Sequence, residues 1–115
     1  MEKSYDCPVV EFSELIRGKY KLRIIWQLKK EKYRFGELQR AVCRAFNDEA
    51  VTPRVLSREL KDLVGKGLIR RKQYNVLPMK VEYSITPFGR TLIPILEAIV
   101  EWDQQAKRFN RNVSS

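Results

Sequence analysis

The sequence predicts a mainly α fold with a small β-ribbon, and three features point there. Apolar residues recur at helical spacing along several segments. Thr-Pro pairs at 52–53 and 86–87 combine a good N-cap with the residue suited to a first helical position. Between them, residues 80–85 alternate cleanly, with Val81, Tyr83 and Ile85 on one face and Lys80, Glu82 and Ser84 on the other.

The elements follow in order. Glu11 to Arg17 is a short helix with Phe12, Leu15 and Ile16 as its apolar side, and Gly18 interrupts it. Lys19 to Lys29 continues helical, and Ile24 and Leu28 widen the stripe of Leu22, Ile25 and Trp26 enough to make this helix central to the core. KKEK is a polar turn and Tyr33-Arg34-Phe35 a brief strand. Gly36 to Ala45 is a modest helix with Leu38, Ala41, Val42 and Ala45 on one side. FNDEA then turns the chain through Asn and Asp.

The next helix is capped by Thr52, starts at Pro53 and runs to about Val64, with Val51 and Leu56 as a hydrophobic staple. Gly65 and Gly67 supply its stop. Leu68 to Tyr74 and Lys80 to Ile85 are strands, joined by a projecting NVLPM loop too long for a two-residue hairpin turn. After Thr86-Pro87 a long helix is expected to about Lys107, kinked at Pro94, with RNVSS as a frayed tail. Two helices followed by a ribbon make a winged helix-turn-helix pattern. The chain of 115 residues is expected to be a single domain, 1–115.

Composition narrows the chemistry. Hydrophobic residues at 43% and charged residues at 32% allow a core beneath a charged surface. No apolar run is long enough to cross a membrane, and MEKSYDCPVV lacks the apolar stretch of a signal peptide. The expected location is the cytoplasm, with no membrane partner. The chain contains no histidine, which removes the commonest general base and metal ligand. Two cysteines make neither a disulfide scaffold nor a good zinc site, and no glycine-rich phosphate loop is present. The residues offer no enzyme, cofactor or metal site.

Charge is unevenly placed. The net charge is +9, but residues 17–80 hold 18 Lys and Arg against 6 Asp and Glu. The middle of the chain is therefore suited to a polyanion. On a wheel of about 3.6 residues per turn, Leu56, Leu60, Leu63 and Val64 share one side of the 54–64 helix. Arg54, Ser57, Arg58 and Lys61 share the other, with Glu59 and Asp62 on the flanks. An α-helix fits the major groove of DNA, where arginine can grip guanine with two hydrogen bonds. Arg70, Arg71, Lys72 and Lys80 flank the NVLPM loop and suit phosphate or minor-groove contacts. Thr52, Arg54, Ser57, Arg58, Lys61, Arg71, Lys72 and Lys80 are the candidate contacts to double-stranded DNA, with Arg34 and Arg40 as lesser ones. The alternative is a solvated basic surface. Aromatics are not interleaved with the basic face, which disfavours single-strand stacking.

The last helix carries two apolar stripes. Phe88, Leu92, Ile95, Ile99 and Trp102 form one, extended by Ala106, and Ile93, Leu96 and Val100 form the other. A helix packed once needs one stripe. Two imply a core side and a partner side, the alternative being a fully buried core helix. The expected homodimer pairs through Leu92, Ile95, Leu96, Ile99 and Trp102, joined by Phe12, Leu15 and Ile16. Two recognition helices would then read a palindromic site, with half-sites about one helical turn apart.

Six segments together resemble a known family. They are CPV at 7–9, RGKYKLRIIWQL at 17–28, RFGEL at 34–38, VLSRELKDLVGKGLIRR at 55–71, LPMKVEYSITPFGRTLIPIL at 77–96 and EW at 101–102. In this order and spacing the chain resembles the HxlR-type winged-helix transcription regulators, relatives of the MarR group. The resemblance implies a dimeric DNA-binding regulator paired through its terminal helices. It places Arg54, Ser57, Arg58 and Lys61 on the recognition helix and Lys80 on the wing. The chain departs from the family at Arg17-Gly18-Lys19-Tyr20, where Gly-Gly-Lys-Trp is common, and at Leu77-Pro78-Met79, where Val-Pro-Pro is common. CRAFNDEA is also a few residues longer than usual.

The resemblance also implies oxidant or electrophile sensing at Cys7, whose charged neighbours are Asp6 and Lys3. Cys43 is a candidate resolving partner, and the alternative is that both thiols are inert small hydrophobes. A winged-helix protein-interaction module that does not bind DNA specifically is the competing function. No residue marks a small-molecule effector, and the operator and the regulated genes are not written in the chain.

Overall fold

A computed structural model describes residues 6–114, with side chains to residue 110; Ser115 and residues 1–5, Lys3 among them, lie outside the described part. The chain runs α1 (Pro8–Leu15), α2 (Lys21–Gln27), β1 (Tyr33–Arg34), α3 (Phe35–Ala45), α4 (Pro53–Gly65), β2 (Ile69–Tyr74), β3 (Lys80–Ile85), α5 (Pro87–Arg90) and α6 (Ile93–Ser114). The architecture is mainly helical, with an antiparallel sheet ordered β1-β3-β2. The brief strand at Tyr33 is thus the third member of the sheet, pairing Tyr33 with Tyr83.

Local chemistry sets the boundaries. Pro8 takes the first position of α1, so this helix starts earlier than its apolar residues suggest. Glu37 begins α3 by accepting the Arg34 N–H at 2.9 Å. The Thr52 hydroxyl accepts the Val55 N–H at 3.2 Å and so caps α4. The Thr86 hydroxyl accepts the Gly89 N–H at 3.0 Å and donates to the Gly67 carbonyl at 2.6 Å. One side chain therefore caps α5 and pins it to the end of α4.

The long helix expected after Pro87 is broken rather than kinked. Pro94 has no N–H, and its ring crowds the carbonyl four residues back, that of Arg90. α5 accordingly stops at Arg90 and α6 restarts at Ile93, with Pro94 in its first turn. α6 then continues past Lys107 to Ser114, through most of the tail expected to fray.

The core gathers around α2, α3 and α4. Ile24, Ile25, Leu28, Leu38, Val42, Leu56, Leu60, Leu63, Leu68 and Ile69 are almost wholly buried. A Cβ on Gly89 would stand 2.1 Å from the Leu68 carbonyl oxygen, so only glycine lets α5 close on the strand beneath it.

A buried ion pair crosses this core. The Lys21 ammonium lies 2.5 Å from the Glu59 carboxylate and 3.2 Å from Asp62, and it donates to the Arg17 carbonyl at 2.7 Å. The Lys21 and Glu59 side chains are only 5% and 8% exposed. Glu59, expected on the flank of its helix, is therefore an interior residue. Gly18, at φ 131°, leaves room for it, because a Cβ there would lie 2.7 Å from a Glu59 oxygen. Burial pulls the Lys21 ammonium down, but its hydrogen bonds to Glu59 and Asp62 outweigh that and hold it above the usual lysine value. Burial raises Asp62, but bonds from Lys66 and Lys21 outweigh that and hold it below the usual aspartate value.

Replacing one member of the pair strands the other in a low dielectric. Lys21→Met or Glu59→Leu alone should destabilise the fold by about 3–5 kcal/mol, and the double variant by less than either single one. Urea unfolding of the three variants checks this. Asp62 is depressed, so its contribution is fully present above the ordinary carboxylate value and is lost as pH falls from there through its own lower value. Asp62→Asn should therefore flatten the acid limb of a plot of stability against pH.

Candidate nucleic-acid interface

α4 divides as its wheel requires. Leu56, Leu60 and Leu63 are buried, while Arg54, Ser57, Arg58 and Lys61 are all exposed. Thr52 is also exposed, with its hydroxyl oxygen engaged as the cap.

The ribbon's register decides what joins that face. Ile69 pairs with Ile85, Arg71 with Tyr83 and Gln73 with Val81. Arg70 with Ser84, Lys72 with Glu82 and Tyr74 with Lys80 are the intervening pairs, and strand alternation turns them to the opposite face. An open hollow of about 350 Å³ between helix and ribbon is lined by Ser57, Leu60, Lys61, Val64, Arg71 and Tyr83. Arg71 thus extends the basic face of α4 across to the ribbon.

The other face is a separate cluster. The Lys72 and Lys80 ammonium groups lie 4.8 and 4.7 Å from the centre of the Tyr74 ring. The Tyr74 hydroxyl donates to Glu82 at 2.7 Å, and Lys32 and Lys80 stand 3.4 and 3.5 Å from the same carboxylate. The Tyr74 hydrogen bond, ahead of the lysine interactions, holds Glu82 below the usual carboxylate range. Lys72 and Lys80, grouped with Arg71 in the sequence reading, are therefore on the far side of the sheet from it. Lys32 and Tyr74 were missed. Pairing Lys72 against Glu82 in the alternating strands would have drawn in Tyr74, but nothing in KKEK signals that Lys32 reaches Glu82. Arg34, Arg40 and Arg70 are exposed.

The residues named for subunit pairing separate in the same way. Leu92 and Leu96 belong to the protomer's own core, at 4% and 6% exposure, so they are not available to a partner as expected. Leu92, between α5 and α6, and Leu96, in the first turn of α6, pack into the core cluster that α2 shares. Phe12, Leu15 and Ile16 are half-buried against that core. Ile95, Ile99 and Trp102 are exposed, together with Phe88, Val100 and Phe109. The radius of gyration is 16.4 Å, against about 13 Å for a compact chain of this length.

Cys7 stands at the N-cap position of α1, with no capping bond from its side chain, and is exposed. Cys43 is half-buried, and its sulfur accepts the Val51 N–H at 3.4 Å, just ahead of the α4 cap. Among the described residues no cluster of His, Cys, Asp and Glu could hold a metal ion, and no helix is long and apolar enough to cross a membrane.

A capped helix with an exposed basic face, set beside an antiparallel wing, defines a winged helix-turn-helix protein of the MarR-like kind. The model of the HxlR-like helix-turn-helix family matches residues 15–110, and the chain belongs to that family. It is 38% identical over 111 residues to an uncharacterized HTH-type transcriptional regulator of Methanothermobacter thermautotrophicus, covering 96% of this chain and 80% of that one. Among solved structures it is similar to a protein described as a MarR-family transcriptional regulator from Porphyromonas gingivalis W83. The TM-score is 0.78 and the identity 38%, over 90% of this chain and 96% of the other. It is also similar to the redox regulator HypR in its reduced form, with a TM-score of 0.79 and 34% identity over 92% and 99% of the two chains. The chain is a transcriptional regulator of helix-turn-helix type.

Proposed function

We propose that the protein regulates transcription as a homodimer that binds a palindromic DNA site in a sequence-specific manner. The observation that carries this reading is the single exposed surface formed by Arg54, Ser57, Arg58 and Lys61 of α4 with Arg71 of β2. α4 enters the major groove, with Arg54 near its N-terminus facing base edges. Arg71 follows the helix onto the backbone. Lys72 and Lys80 act at the far face of the wing, where Glu82 already pairs with Lys80. The exposed apolar residues of α6, Ile95, Ile99 and Trp102, supply the subunit contact.

A second reading concerns the signal. Cys7 is exposed at the start of α1, and HypR, a redox regulator by name, has the same fold. Oxidation of Cys7 regulates DNA binding in this reading, with Cys43 as the thiol that resolves it.

Four outcomes are expected. In fluorescence anisotropy, a duplex enriched by the protein from a random-sequence pool binds at least tenfold better than a scrambled one, and the preference persists as salt is raised. Arg54→Ala with Arg58→Ala removes that preference while Lys72→Ala weakens both duplexes alike; equal binding by the unaltered protein to both duplexes would favour a protein-interaction module instead. Ile99→Glu with Trp102→Glu converts a dimer to a monomer in sedimentation, and a monomeric unaltered protein would rule out the pairing. Diamide yields a crosslinked dimer on a non-reducing gel, and Cys7→Ser abolishes the crosslink; absence of any crosslink ends the disulfide version of the idea.

A further inference from the structure

The tip of the ribbon is apolar in a strongly basic setting. Val76, Leu77 and Met79 are 52%, 99% and 66% exposed, and Pro78 lies between the last two. None of them belongs to the core or packs against it. Val76, Leu77 and Met79 line an open hollow of about 490 Å³ together with Gln73, Tyr74 and Asn75. Leu77 at the apex is in effect a free side chain.

Charge says what this tip meets. Residues 63–81 contain no Asp or Glu. Arg71 stands on one face of the ribbon, and Arg70, Lys72 and Lys80 on the other. An apolar apex flanked on both faces by cations suits a ligand that is anionic outside and apolar within. Double-stranded DNA is such a ligand, with phosphates outside and stacked bases inside.

Reach says where on DNA it falls. Arg71 is level with Ser57 and Lys61 of α4 across the hollow. Three further strand residues lead to Tyr74, a span of about 10 Å at ~3.3 Å per residue. The loop extends beyond that. Neighbouring major and minor grooves are centred about 17 Å apart along the axis, half of one ~34 Å turn. With α4 in the major groove, the tip arrives at the adjacent minor groove. That groove, about 6 Å wide, admits side chains but no helix or ribbon. Leucine, methionine and proline are among the residues that wedge between base pairs from that side and bend the duplex.

We propose that Leu77, supported by Val76 and Met79, enters the minor groove beside the half-site read by α4 and wedges between two base pairs. The proposal rests on the DNA-binding reading above and assigns the wing a bending role that the basic residues alone do not supply.

The test uses the full chain and the duplex enriched from the random pool, with 2-aminopurine at successive positions and a fluorophore pair at its ends. The unaltered protein should raise 2-aminopurine emission at one step in the flanking minor groove and shorten the end-to-end distance. Leu77→Ser with Met79→Ser should lose both signals and bind about three- to tenfold more weakly. Its melting temperature should not change, because the tip makes no core contact. The proposal is overturned if the unaltered protein binds and the duplex stays stacked and straight, or if the variant keeps both signals. It is also overturned if the tip instead carries binding to phosphatidylserine vesicles, or self-association, that Leu77→Ser abolishes. Failure of the unaltered protein to enrich any duplex would sink the DNA-binding reading itself, a result distinct from binding without bending.

Discussion

The orientation of the basic helix depends on a lysine and a glutamate buried together. Glu59 lies on the inner side of α4, and Lys21 of α2 is the cation that makes that position tolerable. Turning α4 by one residue, about 100°, would carry Glu59 out of the interior and leave the buried Lys21 without its partner. A buried pair adds little net stability, but it makes other rotations of the helix costly. The same clasp draws in the chain before it. Lys21 takes the Arg17 carbonyl, and Lys66 at the end of α4 takes the Leu15 carbonyl at 2.7 Å. The turn between α1 and α2 is thus fastened to the helix that faces outward with Arg54, Arg58 and Lys61.

Strand alternation then sorts the remaining cations. Arg71 shares its face with Ile69, the buried start of β2, so it emerges beside α4. Lys72, one residue on, points the other way and meets Glu82 and Tyr74. Two adjacent basic residues of similar appearance in the sequence therefore work in different surroundings. One is continuous with the helix. The other sits in a mixed cluster whose carboxylate, Glu82, is shared by a tyrosine and two lysines.

Much of the fold was legible because its signals are local. Thr52-Pro53 and Thr86-Pro87 mark helix starts that need no distant partner, and the alternation of Lys80 to Ile85 defines a strand to the residue. The split of α4 into an apolar and a basic side follows from helical periodicity. The missed features depend on distance. Glu59 looks like a surface acid until Lys21, 38 positions earlier, is placed against it. The two stripes of the last helix were both visible, but only the position of the core cluster assigns Leu92 and Leu96 to it and leaves Ile95 and Ile99 outside. Pro94 announced a disruption, but that α5 ends at Arg90, packed close against Leu68 through Gly89, is seen only in the fold. For the candidate site, the residues were legible one by one, and their division between two faces of the ribbon was not.

The restart at Ile93 makes α6 a lever. Its 22 residues extend roughly 33 Å at ~1.5 Å per residue. A tilt of about 10° at its root sweeps the far end through roughly 6 Å. The proposed dimer joins the two copies through Ile95, Ile99 and Trp102, in the first half of α6. At Trp102, about 14 Å from the root at ~1.5 Å per residue, the same tilt displaces the helix by roughly 2 Å, over half of one ~3.4 Å base-pair step. Angular tolerance at this proline-bounded joint would then set how far the two reading helices of such a dimer can shift relative to one another.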